Sequence, residues 1–246
     1  MNNPLDILYQ DEHLVAAYRP EGLLVHKSNV DPHETRFLLQ ELRDQLGVYL
    51  YPIHRLDKPT SGLILFALSS EVAAAVQKQM EENNCSKEYL LICRGYTAEN
   101  GIINHPLKPI DDFKSKRKKN DKPIEAKPAK DAITLFERLD TIELPVAVDR
   151  YPQSRYSFVK ARILTGRKHQ IRRHFKHLSH PIIGCPKYGK SVHNRYFAEQ
   201  LGAPRLLLHS YRMTLTHPVT DAPLDITAAP SGSFKALMQD FNWAEP

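Results

Sequence analysis

HRLDKPTSG, at residues 54–62, is the most informative stretch of this chain. It places the carboxylate of Asp57 between two cations, just ahead of a Pro-Thr-Ser-Gly turn. Because Lys58 precedes a proline, helical backbone is disfavoured there and the segment is expected to be extended. Residues two apart in an extended segment point the same way, so Arg55 and Asp57 are expected side by side at the end of a strand. Such a carboxylate is either a structural ion pair or a nucleophile kept ionised by its neighbours.

Length and composition exclude several classes of protein. The chain has 246 residues, is 41% hydrophobic, and carries a formal net charge of +6, which favours a polyanionic partner. Its cysteines lack metal-type spacing and are odd in number, which argues against a disulfide framework and predicts a reducing, cytoplasmic compartment: Cys85, Cys93 and Cys185. No apolar run approaches the roughly 18–20 residues of a membrane span, so no membrane partner is expected.

Hydrophobic periodicity predicts an α+β protein. Apolar runs and turn residues predict strands over residues 7–10, 14–19, 63–68, 88–96, 133–138, 156–164, 205–215 and 224–227. Helical spacing predicts helices over residues 35–46, 72–82, 169–178 and 233–241. Ser69-Ser70 is expected to supply the N-cap of the second helix, and Ser233 that of the last. Helices interrupt the strands without regular βαβ alternation, which indicates a mixed, largely antiparallel sheet flanked by helices and loops.

A basic, proline-rich insertion at residues 106–130 breaks this pattern. The stretch PLKPIDDFKSKRKKNDKPIEAKPAK combines many lysines with several prolines, so a packed element is not expected there. Its composition favours a solvated loop. A basic finger that follows a phosphate backbone is a second interpretation, and the two are compatible.

The segment at residues 167–176, RKHQIRRHFK, predicts a basic helix that begins after a glycine turn. Its expected buried stripe is Ile171, Phe175 and Leu178. The opposite or flanking face carries His169, Arg172, Arg173 and Lys176. This face is either solvated or presents a guanidinium to a carboxylate or phosphate. Histidines recur here, but the interleaved cations would repel a metal ion and no carboxylate or cysteine lies close by, so no metal is expected.

Three motifs together resemble the RluA-type pseudouridine synthases. HRLDKPTSG resembles the first signature of that family, SKEYLLICRG at residues 86–95 the second, and LTGRKHQIRRH at 164–174 with RLLLHS at 205–210 the third. The resemblance implies a pseudouridine synthase fold over residues 1–246 as one catalytic domain, without a separate N-terminal S4 RNA-binding domain. One departure is Cys185, where members of the family usually have aspartate.

The resemblance also implies the site residues. Asp57 would be the essential carboxylate, Arg172 its ion-pair partner, and Tyr89 the aromatic ring stacked on the target uracil. From the residues alone, Tyr89 reads as a tyrosine of a strand core. Conversion of uridine to pseudouridine is an isomerisation, so no cofactor is expected.

Further residues are expected to hold the RNA. Arg55 resembles the residue that fills the gap left by an extruded uridine. Leu207 or Leu208 would form an apolar wall of the uracil pocket, and strand alternation allows only one of them to do so. Phosphate contacts are expected from the basic insertion and from Arg167, Lys168 and Arg173.

Two stretches favour a tRNA substrate. DRYPQSRYSFV at residues 149–159 and RRHFKHLSHPIIG at 172–184 are most similar to members of the family that act on uridine 65 of tRNA. We therefore expect a tRNA-modifying isomerase that acts as a monomer. The alternatives are a synthase that acts on 23S rRNA and a non-catalytic RNA-binding protein on the same scaffold.

Overall fold

The computed structural model describes residues 4–26, 34–110 and 127–246, which form one extensive sheet and several helices. The strands are β1 (Ile7–Gln10), β2 (Leu14–Arg19), β3 (Tyr51–Pro52), β4 (Ser61–Ala67), β5 (Ser86–Arg94), β6 (Asn100–Asn104), β7 (Ile133–Leu144), β8 (Ser154–Ile163), β9 (Leu208–Thr216) and β10 (Pro223–Thr227). The helices are α1 (Leu38–Leu46), α2 (Ser70–Glu81), α3 (Gln170–His177), α4 (Ser191–Glu199) and α5 (Gly232–Asp240).

The sheet is mixed and largely antiparallel, in the order β1-β2-β4-β9-β5-β8-β7-β6, with β3 beside β4 and β10 beside β9. Only β4 and β9 pair in parallel among the described strands, where Ser61 meets His209 and Gly62 meets Ser210. Gly62 has φ +109, and a Cβ there would lie 2.1 Å from the carbonyl oxygen of Ser210. This close approach of the two strands requires glycine at position 62.

The mixed, largely antiparallel sheet with its helices confirms the predicted α+β class.

Strand β4 is buried on both faces, which explains its continuous apolar sequence. Leu63 and Leu65 pack in the core that includes α2. Ile64 and Phe66 pack in the opposite core, which includes α1. Burial of one such side chain contributes about 1.5–3 kcal/mol, so this strand anchors both layers of helices around the centre of the sheet.

The helix boundaries show where local signals hold and where tertiary contacts override them. Ser69 caps α2 as expected, and its hydroxyl accepts a hydrogen bond from the Val72 amide at 3.2 Å. Helix α1 begins three residues later than predicted because Phe37 is extended and forms a bridge with Leu24. Ser233 is not the N-cap of α5, since Ser231 occupies that position. None of the described helices is long and apolar enough to cross a membrane.

Several strand predictions need correction. Strand β7 runs on to Leu144 instead of ending at residue 138, because it pairs with β8 along its length. Strand β9 begins at Leu208 and not at residue 205. Strands β3 and β6 and helix α4 were not predicted. Of the basic insertion, residues 111–126 lie outside the described part of the chain. At its base, Leu107 and Lys130 exchange backbone hydrogen bonds.

Candidate active site

A pocket of about 110 Å³ lies where the segment before β4, the start of β9 and the first half of β5 meet α3. It brings together three residues that are far apart in sequence: Asp57, Tyr89 and Arg172. The rest of the lining is Arg55, Leu56, Thr60, Ile163, Gly166, Arg167, His169, Gln170, Ile171 and Leu208. A site for a whole cofactor usually exceeds about 300 Å³, so this volume suits a group the size of one base.

Asp57 lies in an irregular segment between β3 and β4, which corrects its expected position at the end of a strand. The fully buried guanidinium of Arg19, at the end of β2, forms hydrogen bonds to the backbone of this segment. Arg19 Nη2 donates to the carbonyl oxygen of Asp57 at 2.8 Å, and Nη1 donates to that of Lys58 at 3.1 Å. The Thr60 amide also donates to the Asp57 carbonyl, at 2.9 Å. These bonds fix the loop that carries the carboxylate.

Arg172 on α3 faces the Asp57 carboxylate. Its Nη1 donates to Asp57 Oδ2 at 2.9 Å, and its Nε donates to Cys185 Sγ at 3.3 Å. The Arg172 side chain is only 4% exposed, while that of Asp57 is 23% exposed. Burial acts to lower the pKa of Arg172, but the hydrogen bonds to Cys185 and Asp57 outweigh it and raise that pKa. The guanidinium therefore stays charged beside a carboxylate that still opens to the pocket.

Packing of α3 explains this orientation. Ile171 and Phe175 lie in the core beside β5 and β8, as their spacing predicted. Gln170 ties the first turn of the helix to β7, because its Nε2 donates to the carbonyl oxygen of Ile133 at 3.0 Å and contacts Thr134 Oγ1 at 3.1 Å. Sequence reasoning missed Gln170, whose only signal was its place at the start of the helix. The helix is thus fixed at the turn from which Arg172 projects.

Tyr89 lies in β5, with 8% of its surface exposed. Burial raises the pKa of its phenol, and the nearby negative charge of Asp57 raises it further. The hydroxyl therefore stays protonated at neutral pH. Tyr89 packs in the same core as Leu208 and Ile171.

Leu208, the first residue of β9, and Leu207 just before it face opposite sides of the sheet, as alternation requires. Leu208 lines the pocket beside Tyr89. Leu207 does not line it, which corrects its place among the candidate substrate-binding residues. It points to the other face of the sheet, into the core that contains Phe158 and Trp243.

The remaining basic candidates differ in position. Arg55 is exposed, lines the pocket, and forms no ion pair with any residue that the structure describes. Arg167 lies at the rim, where its Nε donates to the carbonyl oxygen of Asp131 at 2.9 Å. Lys168 and Arg173 are half-buried and do not line the pocket.

Comparison with known proteins identifies the family. A family model described as RNA pseudouridylate synthase matches residues 13–177. The chain belongs to the RNA pseudouridylate synthase family. The tRNA pseudouridine synthase C of Haemophilus ducreyi is 46% identical over 239 residues, covering 97% of this chain and 96% of that protein. The tRNA pseudouridine synthase C of Vibrio cholerae is 43% identical over 242 residues, covering 98% of this chain and 97% of that one.

Solved structures show the same fold for this synthase. Human RNA pseudouridylate synthase domain containing 4 superimposes with a TM-score of 0.69 at 23% identity, covering 98% of this chain and 94% of that one. Human RNA pseudouridylate synthase domain containing 1 gives a TM-score of 0.67 at 20% identity, covering 97% and 94%. The pseudouridine synthase fold and the family expected from the sequence motifs are confirmed.

His169 is a second residue of the synthase pocket, besides Gln170, that was missed as a site candidate. His169 precedes α3 with φ +55, a left-handed conformation that is uncommon outside glycine. Its Nε2 lies 3.9 Å from Asp57 Oδ2, and its Nδ1 lies 3.1 Å from the Tyr188 hydroxyl. Burial lowers the pKa of His169 to about 4, so the ring is neutral at neutral pH. Its signal in the sequence was its place between the glycine turn and the helix.

The described residues of the synthase contain no group of three or more histidines, cysteines or carboxylates placed to hold a metal ion. His174, which interrupts the basic helix, is instead buried, with Nδ1 2.9 Å from Thr134 Oγ1 and Nε2 3.0 Å from the carbonyl oxygen of His105. His105 in turn stacks on His177, with ring centroids 3.8 Å apart. These rings therefore pack against each other at the end of α3.

Proposed function

We propose that this synthase converts one uridine of tRNA, at position 65, into pseudouridine, with Asp57 as the essential carboxylate. The observation that carries the proposal is the contact of Asp57 with the buried guanidinium of Arg172 in a base-sized pocket that also contains Tyr89. The relatives that match over nearly their whole length are named for tRNA as their substrate, which supports tRNA here as well.

The reaction is a balanced isomerisation. The N1–C1′ bond of the uridine breaks, the uracil turns, and a C5–C1′ bond forms. The proton that leaves C5 is matched by one gained at N1, so no electrons or atoms enter. A carboxylate can serve this reaction by attack on the sugar, by attack on the base, or by removal of a sugar proton, and the proposal holds for all three routes.

Each proposed role follows from position. Arg172 would orient the Asp57 carboxylate toward the pocket through their hydrogen bond. Tyr89 would stack on the uracil, a contact worth about 1–3 kcal/mol per base. Its protonated hydroxyl would be available to move a proton late in the reaction. Leu208 would form the apolar wall.

Arg55 and the rim cations would secure the RNA. Extrusion of a base costs a few kcal/mol, and an exposed guanidinium at the mouth of the pocket is suited to fill the gap in the helix. Arg167 at the rim, with Lys168 and Arg173 beside it, would contact phosphates, which position RNA without reading its sequence. Phosphate contacts from the basic insertion, of which residues 111–126 lie outside the described chain, are part of the proposal.

The proposal also includes a monomer that acts in the cytoplasm. Every residue of the proposed site comes from a single chain, so a second copy is not needed to complete it. Cys85, Cys93 and Cys185 are free thiols, as expected for a reducing compartment.

The test is to map pseudouridine after the purified protein acts on total tRNA and, separately, on 23S rRNA. We expect one new pseudouridine, at position 65 of tRNA. Modification of the rRNA with the tRNA unchanged would reject the proposed substrate while keeping the chemistry. Tight RNA binding with no pseudouridine in either RNA would reject the chemistry and favour a non-catalytic RNA-binding protein.

A further inference from the structure

A second pocket, of about 370 Å³, lies away from Asp57 and is larger than the pocket around it. It forms where β5 ends and β8 begins, under the loop that joins β7 to β8. Its lining is Arg94, Gly95, Asp149, Tyr151, Pro152, Gln153, Ser154, Arg155 and His193. Most of these residues belong to the stretch at 149–159 that the motif analysis singled out.

This second pocket is separate from the active site. Arg94 is five positions beyond Tyr89 in β5, a distance of about 17 Å along a strand. Strand alternation also places Arg94 on the face of Leu90 and Ile92, which pack in a different core from Tyr89. A ligand in the second pocket therefore does not contact the catalytic carboxylate.

His193 lines this pocket and carries one unpartnered polar atom. The residue is only 4% exposed, and its Nδ1 lies 2.8 Å from the Tyr156 hydroxyl. Its Nε2 is buried without a hydrogen bond to any residue in the described ranges. A buried polar atom without a hydrogen-bond partner destabilises the fold unless a ligand or a water molecule forms that bond.

His193 and Tyr156 are both uncharged at neutral pH. Burial and the charge of Arg94 lower the pKa of His193 to about 4, so the ring is neutral at neutral pH. Burial raises the pKa of the Tyr156 phenol, which therefore keeps its proton. When Tyr156 donates that proton to Nδ1, the neutral ring carries its own proton on Nε2. That N–H is buried beside the pocket, and the neutral ring adds no charge to its lining.

The charges around the pocket favour an anion. The half-buried guanidinium of Arg94 forms no ion pair within the described chain. Arg155, at the mouth, is paired with Glu143 at 2.6 Å. The one carboxylate in the lining, Asp149, is neutralised by an ion pair with Lys190. The unpaired positive charge of Arg94 thus lies in a pocket whose other charged lining residues are paired.

An aromatic ring completes the wall. Tyr151 is 54% exposed, and the guanidinium of Arg150 lies 4.9 Å from the centroid of its ring. An exposed aromatic ring can serve as a platform for a stacked base, and the nearby arginine adds a positive charge. The volume of the pocket also lies within the range of sites for small organic ligands.

We propose that this second pocket binds a nucleotide of the RNA substrate away from the target uridine, with its phosphate on Arg94 and its base against Tyr151. In taking RNA as the source of the nucleotide, the inference rests on the proposed function. A phosphate contact of this kind adds affinity and orientation at a distance from the chemistry.

The first test is Arg94→Gln, with Arg195→Gln as the matched control. Arg195 is an exposed arginine on the same helix as His193 and does not line the pocket. We expect Arg94→Gln to raise KM for tRNA about fivefold or more with kcat unchanged, and to reduce the salt slope of RNA binding by about one. Arg195→Gln is expected to leave both quantities near those of the natural protein.

The second test observes the pocket without RNA turnover. The imidazole nitrogen signals of His193 are followed by NMR while UMP, and in a separate titration inorganic phosphate, is added to the natural protein and to Arg94→Gln. We expect the Nε2 signal to shift in the natural protein and to shift much less in the variant. This readout remains available if Arg94→Gln is poorly folded, because the natural protein alone gives the first half of the result.

The outcomes separate the two proposals. No His193 shift together with an unchanged KM in a folded Arg94→Gln variant would overturn the inference. A His193 shift with an unchanged KM would overturn RNA as the source and assign the pocket to a free nucleotide. Absence of pseudouridine formation by the natural protein would instead overturn the proposed function, and the His193 titration would still report on the pocket.

Discussion

Arg172 donates a hydrogen bond to Asp57 at 2.9 Å, across 115 positions of sequence. The same guanidinium contacts Cys185, so two of its nitrogens are fixed at once. Arg172→Lys keeps the charge but cannot make both contacts, because lysine offers one compact donor group. We expect turnover to fall about 10- to 100-fold, the equivalent of about 1.5–3 kcal/mol for a hydrogen bond to a charged group. Single-turnover kinetics measure this, and a rate equal to that of the natural protein would refute the role of the pair.

Asp57→Asn tests the carboxylate itself. Asparagine has nearly the same shape but no charge, so it cannot act as nucleophile or base. We expect pseudouridine formation to fall by more than about 10³-fold, with RNA binding within about threefold of the natural value. Tritium release from uridine-labelled tRNA and filter binding measure the two quantities. Continued turnover in Asp57→Asn would remove this residue from its proposed role.

Arg19→Lys tests the support beneath Asp57. The substitution keeps a buried charge but breaks the forked contacts to the carbonyl oxygens of Asp57 and Leu23. We expect the free energy of unfolding to fall by about 3 kcal/mol and kcat to fall more than RNA affinity. Urea unfolding and steady-state kinetics measure these changes. The control is Arg36→Lys in the exposed pair with Glu41, where a change below about 1 kcal/mol is expected. Equal losses in both variants would contradict the prediction.

Leu207 and Leu208 form a matched pair, since adjacent leucines face opposite sides of one sheet. Each change to alanine is expected to cost about 2–5 kcal/mol of stability, because both side chains are buried. At a temperature where both variants are folded, Leu208→Ala is expected to lose turnover and Leu207→Ala to retain it. Turnover is measured on variants whose folding is checked by circular dichroism. Loss of turnover in Leu207→Ala but not in Leu208→Ala would contradict the assignment of Leu208 to the pocket.

Stability is expected to fall in mild acid because buried histidines resist protonation. Burial lowers the pKa of His209 and of His193 to about 4, from an ordinary value of 6.5. The two histidines leave the free energy of unfolding unreduced above about pH 6.5. As the pH falls toward 4 they lower it, since only the unfolded chain takes up protons in that window. Within that window each histidine lowers the free energy of unfolding by up to about 1.4 kcal/mol per pH unit.

Urea unfolding at a series of pH values measures this slope. His209→Asn is expected to reduce the slope by up to one proton, since asparagine does not titrate. His209 contacts Ser61 Oγ at 2.8 Å and the carbonyl oxygen of Ala228 at 2.7 Å, so the variant starts from a lower stability at neutral pH. The slope, not the absolute stability, is the diagnostic quantity. A free energy of unfolding that does not change between about pH 6.5 and pH 5 would contradict the prediction.

Local sequence patterns predicted much of the fold. The apolar run before Ser69 predicted β4, and Ser69 itself marked the start of α2, because capping acts within four residues. The spacing of Ile171 and Phe175 predicted the buried face of α3 correctly. The unusually long β7 and the late start of α1 could not be predicted, because they depend on pairing with strands and residues distant in the chain.

The sequence by itself determined the family and the chemical groups of the site, because the motifs around Asp57, Tyr89 and Arg172 combine residue types that few other functions require together. Only the tertiary structure decided which leucine faces the pocket, that Arg19 and His169 belong to the site, and that a second pocket forms around His193. The physical reason is that these facts depend on strand pairing and burial between residues up to about 150 positions apart, as between Ser61 and His209, and no local pattern encodes such contacts.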